Sequence, residues 1–227
     1  MNSFQDLIKS AAAFEDNGKF FHALQFYDKA SKEDPNNKLL IVKKAALYEK
    51  IDRLDSAIKF MDSFIESESY DDDIILFYGQ FLIRNFEFEK AVDVLALTSS
   101  DEKLASTFLI GLSYFNLKDF GIAKIKFEDF VENNKSSDLL PEAYLYLAKT
   151  NIELGKDNEA LDNLKNSEKL SGMNWELYLI FAKIYYLKEM YLHAKDSLEK
   201  ASRLNGDKNL IEELSNMLTQ KIEGNVK

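Results

Sequence analysis

The sequence predicts an all-α fold, a solenoid of about six antiparallel helical hairpins followed by a C-terminal capping helix. The first observation is a set of six alanines spaced 34, 34, 32, 37 and 34 residues apart: Ala23, Ala57, Ala91, Ala123, Ala160 and Ala194. The second is a small residue twelve positions before each of these anchor alanines, at Ala11, Ala45, Gly79, Gly111, Ala148 and Ala182. The third is a scarcity of helix breakers, with only two prolines and eight glycines. Small residues on both helices of a pair let the backbones cross closely, so the repetition indicates a stack of such pairs.

The segment 104–134 shows the pattern of one hairpin most clearly. Its first half places four residues at i, i+3, i+4 and i+7, on one face of a helix: Thr107, Ile110, Gly111 and Tyr114. Its second half carries Ala123, Phe127 and Phe130, again on one helical face. The spacing therefore predicts two helices joined by a short turn at 117–120.

Three residues before the anchor alanines, five of the six positions are apolar, and only Asp157 departs. The spacing and these offsets resemble the tetratricopeptide repeat. The resemblance implies a right-handed superhelical α-solenoid. It also implies that the first helices of the hairpins line a concave surface that holds a peptide or a helix of a partner protein.

We expect a single domain over 1–227, with repeats at approximately 4–37, 38–71, 72–103, 104–140, 141–174 and 175–208. Ser3 with Asp6 favours a capping box at the first helix, and Gly18 supplies the positive φ that suits its end. Later turns are expected near Asp52, Asn85, Lys118, Gly155 and Lys188. A capping helix at 209–222 is expected to cover the last repeat with an apolar stripe of Leu210, Leu214, Met217 and Leu218.

Two repeats depart from the pattern and are expected to be the least stable. The third ends early, after Thr98, and the fifth has polar residues, Asn151 and Asp157, where the others have apolar ones. Since each repeat is stabilised mainly by its neighbours, a weak repeat lowers the stability of the stack around it.

Composition disfavours several classes of partner and location. The net charge is −10, from 39 acidic and 29 basic residues, which disfavours nucleic acid and anionic membrane surfaces. The chain has no apolar run of about 18 residues, so we expect no membrane insertion. It also has no cysteine and no signal-peptide pattern at its start, so a cytoplasmic location is the expectation.

The sequence offers little chemistry, and we expect no enzyme, no metal site and no cofactor. The two histidines, His22 and His193, lie in the first and last repeats and are expected on the surface. The acidic run 71–73 falls at an inter-repeat turn, where carboxylates suit a solvated helix start. No phosphate-binding glycine loop and no nucleophile elbow is present.

The candidate partner-binding residues lie on the first helices of the repeats, at Leu76, Ile83, Phe108, Leu112, Phe115, Lys149 and Lys183. The apolar ones concentrate in the third and fourth repeats, and an apolar centre with a polar rim is the usual anatomy of a binding patch. The predicted helix that contains Phe108, Leu112 and Phe115 is apolar nearly all round, so burial in the core is an alternative for these three. Family members that grip a C-terminal carboxylate use lysine, asparagine and arginine, whereas Ile8, Ala12, Val42 and Ala46 stand here.

Two functions remain open from the sequence. The first is a non-catalytic adaptor or scaffold that holds a peptide or a helix of a partner protein in the concave groove. The alternative is a self-associating scaffold, a homo-oligomer, or an assembly subunit of a larger complex.

Overall fold

The computed structural model describes residues 3–66, 71–99, 103–172 and 174–224, and every regular element in these ranges is an α-helix. The expected domain limits at 1 and 227 lie outside the described residues. Thirteen helices fall within the described ranges: α1 Phe4–Asp16, α2 Phe20–Ser31, α3 Lys38–Lys50, α4 Leu54–Glu66, α5 Asp72–Arg84, α6 Phe88–Leu95, α7 Lys103–Asn116, α8 Phe120–Asn133, α9 Leu140–Glu153, α10 Asp157–Ser171, α11 Trp175–Leu187, α12 Tyr191–Arg203 and α13 Lys208–Gly224. The predicted all-α fold is confirmed.

The helices are arranged as a solenoid with two layers. Each odd-numbered helix from α1 to α11 packs against the even-numbered helix that follows it, forming a hairpin. From α3 onward, each odd-numbered helix also contacts the next one, so that α3, α5, α7, α9, α11 and α13 form a continuous layer. Helix α13 contacts both α11 and α12, and it therefore extends the odd-numbered layer beyond the last hairpin.

Close helix crossings occur where the small residues predicted them. The anchor alanines are at most 1% exposed. A Cβ atom added at Gly111 would lie 2.8 Å from a ring carbon of Phe127, and one added at Gly79 would overlap a methyl group of Leu95. The two helices of these hairpins are therefore too close for any larger residue without a shift of the packing.

The six hairpin turns share one backbone conformation. Five residues before each anchor alanine, φ is positive, between 57° and 70°, at Gly18, Asp52, Phe86, Lys118, Gly155 and Glu189. The N–H of the following residue donates to the carbonyl five positions earlier, as from Lys19 to Phe14 at 2.8 Å, and this bond closes the helix in a Schellman motif. Only two of the six positions are glycine, so sequence reasoning found the turns without finding this shared conformation.

Side chains cap the helix starts that sequence reasoning singled out. The Ser3 hydroxyl accepts from the Asp6 N–H at 3.3 Å and the Asp6 carboxylate accepts from the Ser3 N–H at 3.1 Å, which is the expected capping box. At α5, the Asp71 carboxylate accepts from the Ile74 N–H at 3.3 Å and pairs with Lys38. The hydrogen bond from Lys38 holds the pKa of Asp71 below its ordinary value.

The third and fifth hairpins carry the expected irregularities. Helix α6 has only eight residues, whereas α10 has fifteen. In α9, Asn151 is 1% exposed, and neither its amide nitrogen nor its amide oxygen has a hydrogen-bond partner. The prediction that both hairpins are less stable remains to be measured.

The docking face of α13 differs from the expected stripe. Ile211, Leu214 and Leu218 pack against the core of the last two hairpins, and Leu218 is 3% exposed. Leu210 and Met217 were expected to dock, but they are 46% and 40% exposed. Neighbouring helix positions point about 100° apart, so an orientation of α13 that buries Ile211 and Leu218 turns Leu210 and Met217 towards solvent.

Candidate partner-binding surface

The candidate surface is formed by the odd-numbered helices, and we call it the odd-helix surface. Leu76 and Ile83 come from α5, and Leu112 and Phe115 come from α7. All four are partly buried and pack against the same hydrophobic cluster. These four predicted residues therefore lie on two contacting helices of the odd-numbered layer, and together they are named here the apolar centre. Each keeps part of its side chain in contact with solvent.

Phe108 does not belong to the apolar centre. It is 2% exposed, and its ring centroid lies 5.3 Å from that of Phe130 and 5.9 Å from that of Phe127, both in α8. On another side it meets Tyr146 of α9 edge-on at 6.4 Å. Phe108 is a core residue, and its prediction as a partner contact is corrected. Helix α7 is apolar nearly all round because α8 packs on one side of it and α9 on another.

Phe115 lies at the border between this core and the surface. Its ring packs edge-on against Phe120 at 5.6 Å and against Tyr146 at 5.5 Å. These two contacts fix the orientation of the ring while part of it remains exposed. Sequence reasoning missed Tyr146, which joins the aromatic cluster of the fourth hairpin to the fifth.

The two predicted lysines occupy different environments. The Lys149 ammonium lies 2.6 Å from a carboxylate oxygen of Glu176 and 4.6 Å from the centre of the Tyr146 ring. Its charge is therefore already compensated within the chain. Lys183 is exposed and lies in a groove between α11 and α13, at the C-terminal end of the solenoid. The structure does not bring Lys183 together with the apolar centre.

Polar contacts link the first three hairpins to one another. Glu15 of α1 pairs with Lys50 at 2.9 Å and with Lys43 at 3.3 Å, both in α3. Glu49 of α3 accepts a hydrogen bond from the amide of Asn85 at 3.0 Å. These partners stand 28 to 36 residues apart in the sequence. A search for polar pairs separated by about one repeat length would have found them.

Glu15 is the most enclosed carboxylate of this set, with its side chain 12% exposed. Burial alone would raise its pKa, but the hydrogen bonds from Lys50 and Lys43 outweigh burial, and the pKa lies below the ordinary 4.5. Glu15 is therefore ionised at neutral pH and links the first two hairpins.

The described residues contain no group of three or more His, Cys, Asp or Glu side chains that could hold a metal ion. His22 and His193 are exposed, as expected, and each packs on an aromatic ring of its own hairpin, Phe14 and Tyr185, with centroids 5.3 Å apart. Within the part of the chain that the structure describes, no helix has both the length and the apolar character needed to span a bilayer.

Comparisons with known proteins identify the fold. No protein-family model and no curated protein matches the sequence. Among solved structures, PilW, a widely conserved type IV pilus biogenesis factor, superposes with a TM-score of 0.71 at 16% identity, over 93% of this chain and 97% of PilW. The C-terminal part of a tetratricopeptide-repeat protein from Cytophaga hutchinsonii gives 0.65 at 16% identity, over 87% of this chain and 78% of that one.

A longer solved chain also matches. A chain of the APC/C hetero-tetramer Cut9–Hcn1 gives a TM-score of 0.66 at 16% identity over 96% of this chain, which spans 43% of that chain's length. The protein thus has the fold of the tetratricopeptide-repeat proteins, and the resemblance seen in the sequence is confirmed at the level of fold.

Proposed function

We propose that the protein is a non-catalytic adaptor that binds a segment of a partner protein at the apolar centre of its odd-helix surface. The observation that carries the proposal is that Leu76, Ile83, Leu112 and Phe115 remain partly exposed on two contacting helices of one layer. On either side of them, polar side chains are engaged in holding neighbouring repeats together. The helical-repeat fold supports the general role of a protein-interaction scaffold, because stacked repeats present an extended surface.

The chemistry of the surface indicates the kind of segment that it binds. Partly exposed aliphatic and aromatic side chains favour large apolar side chains in a partner, such as those on one face of an amphipathic helix. Since Lys149 is compensated by Glu176, an acidic residue in the segment contributes little at that position. We therefore expect apolar contacts to carry most of the affinity.

Gln80 allows the proposal to be tested without disturbing the core. This residue is exposed on α5 between Leu76 and Ile83, while Gln25 is exposed on α2, in the other layer. A photo-crosslinking amino acid is placed at each position in turn, and the protein is irradiated in its native cell. We expect the residue at position 80 to capture a defined segment rich in large apolar residues, and the residue at position 25 not to capture it.

The captured segment is then synthesised as a peptide and its affinity is measured. We expect Leu112→Glu and Gln80→Arg to weaken binding at least tenfold, because each places a charge in the apolar centre. Gln25→Arg should leave the affinity unchanged. Circular dichroism of each variant verifies the fold. Equal affinity of all variants, in folded form, would exclude the apolar centre as the binding site.

A further inference from the structure

The C-terminal end of the solenoid presents an apolar groove that docking of α13 leaves open. Leu187 of α11 is 51% exposed, and Leu210 and Met217 of α13 are 46% and 40% exposed. Together with Tyr186 and Leu214 they line a groove of about 370 Å³ between the two helices. Exposed apolar side chains that line one groove are typical of a site that contacts another molecule.

Exposed apolar side chains are concentrated at this end of the chain. Of the fourteen large hydrophobic side chains that are exposed among the described residues, six fall between positions 187 and 222. These six are Leu187, Met190, Leu192, Leu210, Met217 and Ile222. At the opposite end, the exposed side chains of α1 are mainly polar, namely Gln5, Asp6, Lys9 and Asp16. The two ends therefore do not complement each other.

Two opposite charges border the groove. Lys183 of α11 and Glu213 of α13 both line it and are exposed, and neither forms an ion pair with the described residues. An apolar patch bordered by one cation and one anion is complementary to itself. When two copies meet about a two-fold axis, every contact occurs twice, so Lys183 of each copy can meet Glu213 of the other.

We propose that the α11–α13 groove pairs two copies of this chain tail to tail, through Leu187, Leu210 and Met217, with reciprocal Lys183–Glu213 ion pairs. Head-to-tail assembly is disfavoured because it would place the apolar groove against the polar face of α1. The pairing leaves the apolar centre on α5 and α7 free. The inference goes beyond the proposed adaptor role and does not depend on it.

The size of the surface sets the strength of the pairing. Helix α13 is about 25 Å long at about 1.5 Å per residue. With the adjoining edge of α11 it offers on the order of 500 Å² per copy, below the roughly 800 Å² per partner of a standard interface. Interfaces below the standard size are typical of transient complexes, so we expect a reversible dimer.

The test is sedimentation equilibrium of the purified full chain from roughly 2 to 200 µM, a range that brackets micromolar dissociation. We expect the wild-type mass to rise with concentration from 26.2 kDa towards twice that value. Met217→Glu should remain monomeric throughout. Leu192→Glu is the matched control, since Leu192 is 81% exposed on α12 outside the groove, and it should dimerise like the wild type.

Charge exchange tests the reciprocal ion pairs. Lys183→Glu and Glu213→Lys should each raise the dissociation constant at least fivefold, and the double variant should return it to within about twofold of the wild type. A wild type that stays monomeric at every concentration would overturn the proposal and leave the groove to a different protein. Masses that grow beyond the dimer would instead indicate head-to-tail assembly and also overturn it.

Discussion

Substitution of Asn151 measures how much a buried amide without hydrogen-bond partners lowers the free energy of unfolding. This residue is 1% exposed in α9, and both polar atoms of its side chain lack hydrogen-bond partners. At the same repeat position, Leu82 of the third hairpin is fully buried. Asn151→Leu therefore replaces an unsatisfied polar group with a side chain that an equivalent site already accommodates.

The expected gain follows from the desolvation of the amide. Leaving a buried donor or acceptor unpaired costs about 1–3 kcal/mol, so we expect the substitution to raise the free energy of unfolding by about 2 kcal/mol. For a chain of this size the free energy of unfolding falls by about 2–3 kcal/mol per molar urea, so the midpoint of urea unfolding should rise by about 0.7–1 M. Trp175 packs against the core of the last two hairpins, so its fluorescence follows unfolding of this region.

The control is Asn166→Leu, because Asn166 is exposed on α10. This change should alter the stability by no more than about 0.5 kcal/mol. Unfolding is followed in parallel by circular dichroism, since a repeat protein need not unfold in one step. If Asn151→Leu leaves the urea midpoint unchanged or lowers it, the unpaired amide of Asn151 does not destabilise the protein as proposed.

Two further predictions concern a hairpin turn and an ion pair. Phe86→Gly should stabilise the protein by about 0.5–1 kcal/mol, measured by urea unfolding. The reason is that Phe86 has a positive φ of 64°, which glycine adopts without strain, and is itself 80% exposed. Phe86→Ala, which retains a Cβ atom, should show no such gain. Because the pKa of Glu15 is lowered in the folded state, its ion pairs with Lys43 and Lys50 stabilise the protein above about pH 4.5 and cease to do so as the pH falls below that value. Glu15→Gln should therefore lower the free energy of unfolding at pH 7 by about 1 kcal/mol, and the difference from the wild type should shrink as the pH falls below about 4.5. A difference that is constant with pH would contradict the role of the Glu15 charge.

The hairpins were predictable from sequence because their determinants are local and recur. A close crossing requires a small residue on each helix, and the anchor alanines and Gly111 meet that requirement at positions that can be counted along the chain. The turns could be placed for the same reason. The left-handed residue that the turns share could not be predicted. Phe86 and Lys118 adopt this conformation against their own preference, because the packing of the flanking helices enforces it.

The candidate site could be predicted only in part, because exposure depends on neighbours that the repeat pattern does not specify. Phe108 and Phe115 lie on the same helix, yet α8 and Tyr146 enclose the first and leave part of the second accessible. The charge of Lys149 is compensated by an ion pair with Glu176, which lies 27 residues away in the sequence. The sequence predicted a helix after the sixth hairpin, but the rotation of α13, which buries Leu218 and exposes Met217, follows from how its side chains fit against α11 and α12. Helix periodicity is a property of one segment, whereas burial and charge pairing are properties of the space between segments, and only the tertiary structure determines them.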